Sequence, residues 1–184
     1  MKKSPVHRAA EEITRRLEAA GIDYALAGAV SLGVYGYVRA TDDVDIIITK
    51  QGLAAFKDRW VGLGYANVFK GGKSVRDTEN NVKIDFLIAG EFPGDGKPKP
   101  VTVPVPATAS VISGNYRVVS LPKLIELKLA SGMSAAHRGK DLIDIQELIH
   151  RTKLPRALVY KINPYVRDKY IELWDIAQHP DDDY

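Results

Sequence analysis

The sequence predicts an α/β fold, a mixed β-sheet flanked by helices, followed by a helical C-terminal part. Runs of branched aliphatic residues alternate with amphipathic helical runs in the first two thirds of the chain, and only helical patterns follow. With 184 residues, the chain is long enough to bury a sizeable core. We predict an α/β core over residues 1–119 and a helical part over residues 120–184 packed on it, with a disordered tail from about residue 179.

Capping and turn residues mark where the helices and strands of the first half begin and end. Ser4-Pro5 begins a helix and Gly21 ends it. Asn80-Asn81 is a turn between two strand-like runs, and the glycine-rich segment after residue 27 is a turn with a short helix. We therefore predict helices over 4–20 and 52–63, and strands over 24–27, 43–49, 65–70, 73–77 and 82–89.

Proline content marks the start of the second half. Residues 91–106 hold five of the ten prolines, which predicts an extended loop along the sheet edge. After this loop we predict one more strand over 116–119, and helices over 121–131, 139–151 and 164–178.

The composition excludes several classes of protein. The chain has no cysteine, so it has neither disulfides nor thiolate metal sites. It starts without a signal peptide and lacks an apolar run of membrane-spanning length, so we expect a cytoplasmic protein with no membrane partner. The formal net charge is +3, or +6 without the three aspartates 181–183. Such a charge is compatible with a nucleotide or RNA partner.

Three carboxylates stand out at the start of two strand-like runs. In TDDVDIIIT, alternation places Asp43 and Asp45 on one face of the strand. Asp85 faces away from the apolar neighbours of its own strand. Two divalent ions that lie about 4 Å apart need several hard oxygen ligands on neighbouring backbone, and these three aspartates satisfy that need. The alternative is that all three are solvent-side residues of a half-exposed sheet.

Two further features accompany the carboxylates. Gly28 follows a strand and opens a short helix, where backbone N–H groups favour an anion. In the predicted helix 121–131, Lys128 lies in the middle of the apolar arc, and Asp141 lies on the apolar arc of the next helix. We expect a buried ion pair between Lys128 and Asp141, a phosphate-binding role for Lys128, or both.

Together these residues resemble a known family. The order Gly28, then Arg39 to Asp45, then Lys83 to Leu87 resembles the polymerase-β-type nucleotidyltransferase superfamily. The run from Leu121 to Ile149 resembles more narrowly the nucleotidyltransferase-like proteins related to AbiEii abortive-infection toxins. The positions that match the pattern after the lysine helix are Arg138, Lys140, Asp141, Asp144 and Ile145.

The resemblance implies a fold, an activity and roles. The fold is a nucleotidyltransferase-type mixed sheet, and the activity is transfer of a nucleoside monophosphate from a nucleoside triphosphate to an acceptor hydroxyl with Mg²⁺ or Mn²⁺. Asp43, Asp45 and Asp85 would be the catalytic metal ligands. The implied nucleotide-binding residues are Gly28, Ala29, Arg39, Arg76 and Lys128. The implied structural or supporting residues are Arg138, Lys140, Asp141 and Asp144.

More than one function is compatible with these residues. The first is an enzyme with tRNA, a protein or a small molecule as acceptor, and it includes the toxin of a toxin–antitoxin pair with a cognate antitoxin as partner. The second is a weak or inactive relative that binds a nucleotide, RNA or a protein. The acidic trio favours the first. Ala29 favours the second, because the family usually has a second glycine or a serine there.

Overall fold

A computed structural model describes residues 3–179 of the chain. Within that range the chain forms seven α-helices and seven β-strands. The helices are α1 (Pro5–Ala19), α2 (Gly28–Val34), α3 (Lys50–Trp60), α4 (Pro106–Ala109), α5 (Leu121–Ser134), α6 (Gly139–Thr152) and α7 (Pro164–Gln178). The strands are β1 (Tyr24–Leu26), β2 (Asp43–Ile48), β3 (Tyr65–Asn67), β4 (Ser74–Asp77), β5 (Val82–Ile88), β6 (Ser110–Ser113) and β7 (Tyr116–Val119).

All seven strands form one mixed sheet in the order β3-β4-β5-β2-β1-β7-β6. The central pair, β2 and β5, is parallel, and β1 lies antiparallel to β2. Because side chains alternate along a strand, each strand packs against a different layer of helices with each of its two faces. In β2, Val44, Ile46 and Ile48 pack on α1 and α3, whereas Ile47 faces the layer of α5, α6 and α7.

The helical part covers the second face of the sheet. Leu124 and Ile125 of α5 belong to one buried cluster with Ile47 of the sheet and with residues of α6 and α7. The helices therefore pack on the sheet through a shared apolar core, although the predicted boundary at residue 119 stays a prediction.

The α/β fold class with a helical C-terminal part is confirmed. Helices α1, α6 and α7 agree with their predicted bounds to within one residue. Two elements were not predicted, α4 and the edge strand β6, which pairs with β7. The predicted disordered tail falls mainly on residues 180–184, which lie outside the described residues. Among helices of the described range, none has the length and apolar character needed to cross a bilayer.

The position predicted for the proline-rich loop is wrong. The edges of the sheet are β3 and β6, whereas the loop follows the interior strand β5 and turns onto the helical layer. Val101 and Val103 are buried in the same apolar cluster as α5. Their burial holds the loop on the face of the sheet, because two valines removed from water stabilise that position by a few kcal/mol.

Candidate functional site

A cleft of about 1090 Å³ opens between the sheet and the helical layer. Charged side chains of both signs line it. The acidic ones are Asp42, Asp43, Asp45, Asp85, Glu91 and Asp141, and the basic ones are Arg39, Lys73, Lys128, Arg138 and Lys140. The volume lies just above the usual range for ligand pockets, about 300–1,000 Å³, so the cleft has room for a ligand larger than a typical small molecule.

The structure brings Asp43, Asp45 and Asp85 together on one wall of this cleft. Strands β2 and β5 are parallel neighbours in which Asp45 is the register partner of Asp85, and Asp43 is that of Lys83. Strand alternation turns all three carboxylates toward the helical layer. At this end of the strands Asp43, Asp45 and Asp85 border the cleft, whereas the buried Ile47, further along β2, belongs to the core shared with the helices.

Gly28 makes room for the central carboxylate. Its φ is +58°, and a Cβ at this position would lie 1.8 Å from Oδ2 of Asp45. The Ala27 N–H donates to the Asp45 carbonyl oxygen at 2.9 Å, which fixes the two segments side by side. No other residue type fits position 28 without moving Asp45. Ser31, a few residues on, is buried and donates its hydroxyl to the Gly28 carbonyl oxygen at 2.9 Å.

Two of the three carboxylates already have partners. Asp85 accepts from Lys83 Nζ at 2.8 Å and from the Ser74 hydroxyl. Asp43 accepts from the Thr41 hydroxyl at 2.7 Å. Residues 3–179 contain no group of three or more His, Cys, Asp or Glu side chains already arranged to hold a metal ion. The hard oxygen donors fit Mg²⁺ or Mn²⁺ by their chemistry, and both oxygens of Asp85 already accept hydrogen bonds, from Ser74 and from Lys83.

The neighbouring carboxylates change the pKa of Asp45. Burial, together with the negative charges of Asp43 and Asp85, raises the pKa of Asp45 to about 6, even though Lys128 favours its charged form. A carboxyl whose neighbours oppose its charge is a site where a bound cation is stabilising. The wall formed by Asp43, Asp45 and Asp85, here called the acidic wall, therefore has too little positive charge nearby to balance its carboxylates.

Lys128 lies at the centre of a second charged cluster, on the helical side of the cleft. Its Nζ donates to Asp141 at 2.9 Å and to Asp144 at 2.8 Å, and its side chain is 8% exposed. The predicted burial of Lys128 beside Asp141 is confirmed. Asp144, which is 1% exposed, is a second partner that the helical arcs did not identify. Its place at i+3 from Asp141 on α6 was the available signal.

Two arginines complete the cluster from opposite ends. Arg39 donates two hydrogen bonds to the Asp144 carboxylate, from Nε at 2.7 Å and from Nη2 at 3.0 Å. Arg138 donates to Asp141 at 2.9 Å and to the Ser131 hydroxyl at 3.1 Å. Burial alone would raise the pKa of Asp141, but Lys128 and Arg138 hold it below its usual value. Arg39 is thus committed to Asp144, whereas Arg138 is half exposed on the cleft wall.

The remaining predicted residues lie in different places. Lys140 is exposed on the cleft rim. Ala29 is buried and is not part of the cleft wall. Arg76 lies outside the cleft, where it contacts the Asn81 side chain at 3.2 Å, so the structure does not bring it to the phosphate-binding position that we expected.

Several residues in the cleft or in contact with its carboxylates were not predicted from the sequence. Ser74 and Lys83 contact Asp85, and the shared strand face of Lys83 and Asp85 was the signal for the latter pair. Lys73 pairs with Glu91 across the cleft rim. The contacts of Ser74 and Lys73 had no sequence signal, because strand register and loop position bring them there. His137 is exposed and also borders the cleft.

Comparison with solved structures identifies the fold. The antibiotic-resistance factor ANT(2'')-Ia matches with a TM-score of 0.56 and 16% identity over 91% of this chain and 94% of that one. An antigenic nucleotidyltransferase-like protein from Paracoccidioides brasiliensis matches with a TM-score of 0.56 and 14% identity over 96% and 89%. No protein-family model and no curated protein matches the sequence. The chain therefore has the nucleotidyltransferase fold, as predicted, and the narrower resemblance to AbiEii-related proteins stays a prediction.

The buried cluster predicts a large stability effect at Lys128. In Lys128→Met, two buried carboxylates lose their central cation, and we expect the free energy of unfolding to fall by about 3–5 kcal/mol. Lys169→Met, which breaks a pair with the exposed Glu172 on α7, is the control and should cost less than about 1 kcal/mol. Urea unfolding measures both. Similar small losses in the two variants would contradict the central role of Lys128.

The raised pKa of Asp45 predicts a pH-dependent effect on stability. Between its unfolded pKa near 4 and its folded value of about 6, the folded state binds more protons than the unfolded state. In the metal-free protein Asp45 therefore contributes a loss of stability as pH rises through this range. Asp45→Asn removes the effect, so at pH 7–8 the variant should be more stable than the wild type by on the order of 1–3 kcal/mol, and nearly equal at pH 4.

Urea unfolding with a chelator from pH 4 to pH 8 measures this difference. Asp42→Asn, which changes an exposed carboxylate beside the same strand, is the control and should leave the pH profile unchanged. A difference between wild type and Asp45→Asn that stays constant over this range would show that Asp45 is not destabilised by its neighbours.

Proposed function

We propose that the protein is a metal-dependent nucleotidyltransferase, which moves a nucleoside monophosphate from a nucleoside triphosphate to an acceptor hydroxyl. The observation that supports this most strongly is the acidic wall opposite a cationic cluster in one cleft. Asp43, Asp45 and Asp85 supply oxygen ligands for Mg²⁺ or Mn²⁺, and Arg138 and Lys128 supply positive charge. Bound in pairs, such ions neutralise charge on the attacking and leaving oxygens of an in-line displacement.

The chain's own residues have distinct tasks in this proposal. Asp85 is the carboxylate that accepts the proton of the attacking hydroxyl, after its hydrogen bond with Lys83 has broken. The exposed Arg138 binds the triphosphate directly, and the backbone at Gly28 lies against the Asp45 carboxylate. Lys128 acts mainly through charge, because its buried ammonium is already shared by Asp141 and Asp144.

The proposal allows more than one class of acceptor. ANT(2'')-Ia is an antibiotic-resistance factor. A small molecule with a hydroxyl group is therefore an acceptor class in addition to tRNA and protein. A toxin role with a cognate antitoxin follows from the AbiEii-like resemblance alone.

A nucleotide-binding module without transfer activity is the second candidate. Two observations favour it: Asp85 is held by Lys83 and Ser74, and Ala29 supplies no hydroxyl beside Gly28. This candidate retains nucleotide binding through the same cationic residues.

Transfer of label separates the two candidates. The protein is incubated with each α-labelled nucleoside triphosphate and Mg²⁺, with total tRNA, a panel of hydroxyl-bearing antibiotics, or no added acceptor. Label on any acceptor or on the protein itself supports the enzyme. Binding of the magnesium-nucleotide complex without transfer supports the module, and absence of binding contradicts both.

Two variants tie activity to the acidic wall. Asp45→Asn should lower the transfer rate by about 10²–10³-fold or more while the fold stays intact, because it removes a metal ligand and relieves repulsion. Asp141→Asn should lower the melting temperature first and the rate through Lys128. Initial rates beside melting temperatures measure both. Equal loss of stability in the two variants would indicate a structural acid cluster instead of a catalytic one.

The Lys83–Asp85 pair predicts a gain in metal affinity. We expect a cation to displace Lys83 from Asp85, and a partly exposed pair of this kind is worth about 1 kcal/mol. Lys83→Met should therefore bind Mn²⁺ about two- to fivefold more tightly than the wild type, as measured by electron paramagnetic resonance of free Mn²⁺. Lys50→Met, exposed on α3, is the control. Adding Asp85→Asn should cancel the gain, and if it does not, Asp85 is not a ligand.

A further inference from the structure

Residues 90–99, here called the wall loop, form one side of the cleft. The loop starts at a fixed point, because the Gly90 N–H donates to the Val103 carbonyl oxygen at 2.8 Å and the Val103 N–H donates to the Glu91 carbonyl oxygen at 2.8 Å. Since Val103 is anchored in the core, these two bonds hold the start of the wall loop beside the end of β5.

A buried ammonium organises the loop from within. Lys99 Nζ donates to the Pro93 carbonyl at 2.8 Å, the Lys97 carbonyl at 2.7 Å and the Asp95 carboxylate at 2.7 Å. All three of its N–H donors therefore have acceptors, as the 5% exposure of its side chain requires. The wall loop has its own polar core, and its backbone shape depends on Lys99.

The tip of the wall loop rests on α5. Gly94 has a φ of +75°, and a Cβ there would lie 2.2 Å from the Ser134 hydroxyl and 2.8 Å from the Ser131 carbonyl oxygen. Ser131 also accepts from Arg138. The loop tip and the exposed arginine of the cleft therefore meet at the same residue.

Phe92 presents an aromatic ring in this cleft. Of the described residues that line the cleft, Phe86, Phe92 and His137 have aromatic rings; Phe92 is the one on the wall loop, and Phe86 is buried in the opposite layer. Phe92 is partly exposed, and Lys99 Nζ lies 5.7 Å from its ring centroid. A loop fixed at both ends and at its centre keeps this ring in place before any ligand arrives, which lowers the entropic cost of binding.

We infer that Phe92 stacks on the nucleobase of a nucleoside triphosphate, and that Lys99 is a positioning residue that holds Phe92. This inference rests on the proposed function, because the triphosphate must lie between the acidic wall and Arg138. The wall loop adjoins Arg138 through Ser131, and Phe92 lines the same cleft as Arg138 and the acidic wall. Stacking on an aromatic ring tolerates any base, so all four nucleotides should depend on Phe92.

Comparison of two ligands tests the inference. Mg-ATP and Mg-tripolyphosphate share the phosphates, but only ATP has a base. Phe92→Ala should bind Mg-ATP about tenfold or more weakly than the wild type and bind Mg-tripolyphosphate unchanged, as measured by calorimetry. Phe92→Trp should keep ATP affinity. Lys99→Met should show the same selective loss as Phe92→Ala. Phe69→Ala, which removes a ring that is 72% exposed outside the cleft, should change neither affinity.

Each other result overturns the inference in a recognisable way. Equal weakening of both ligands by Phe92→Ala would assign the wall loop a purely structural role. Unchanged binding of both, with a raised KM for the acceptor, would assign Phe92 to a ring of the acceptor instead of the nucleobase. If the wild type binds neither ligand, the proposed function fails and this inference with it.

Discussion

The shared ammonium of Lys128 is the interaction on which the cleft depends. Two carboxylates, Asp141 and Asp144, are buried between α5 and α6, and a buried carboxylate is stable only with a cation beside it. Lys128 serves both from α5, and Arg39 reaches Asp144 from the segment before β2. The cluster therefore joins the helical part to the sheet at the place where the cleft opens.

The alternation of side chains along β2 and β5 is the second constraint. One face of these strands must be apolar to pack on α1 and α3, so every other residue faces the helical layer. On that face, Ile47 belongs to the core with α5, whereas Asp43, Asp45 and Asp85 border the cleft. The same strands thus supply a core at one end and a polar wall at the other, with no change of register.

Local patterns predicted the parts of this arrangement that depend on one strand or one helix. Strand parity placed Asp43 and Asp45 on a common face, and the helical arcs predicted the contact of Lys128 with Asp141. The link from Arg39 to Asp144 was missed because it joins residues 105 positions apart. Strand β6 was also missed, although Gly114-Asn115 between two short apolar runs is a hairpin signal. The wall loop had no signal beyond its prolines, since its position depends on Lys99 and on α5.

The two charged clusters differ in their balance, and that difference supports a cation-dependent role. Arg39, Lys128 and Arg138 exceed the two buried aspartates of α6 by one positive charge. The acidic wall has three carboxylates and one cation, Lys83, so it carries an excess of negative charge. The positive charges of Lys128 and Arg138 favour the charged form of Asp45, yet its pKa remains raised. The protein's own cations therefore offset only part of the repulsion, and the remaining charge of −2 equals in size the charge of the divalent ion that we propose as ligand.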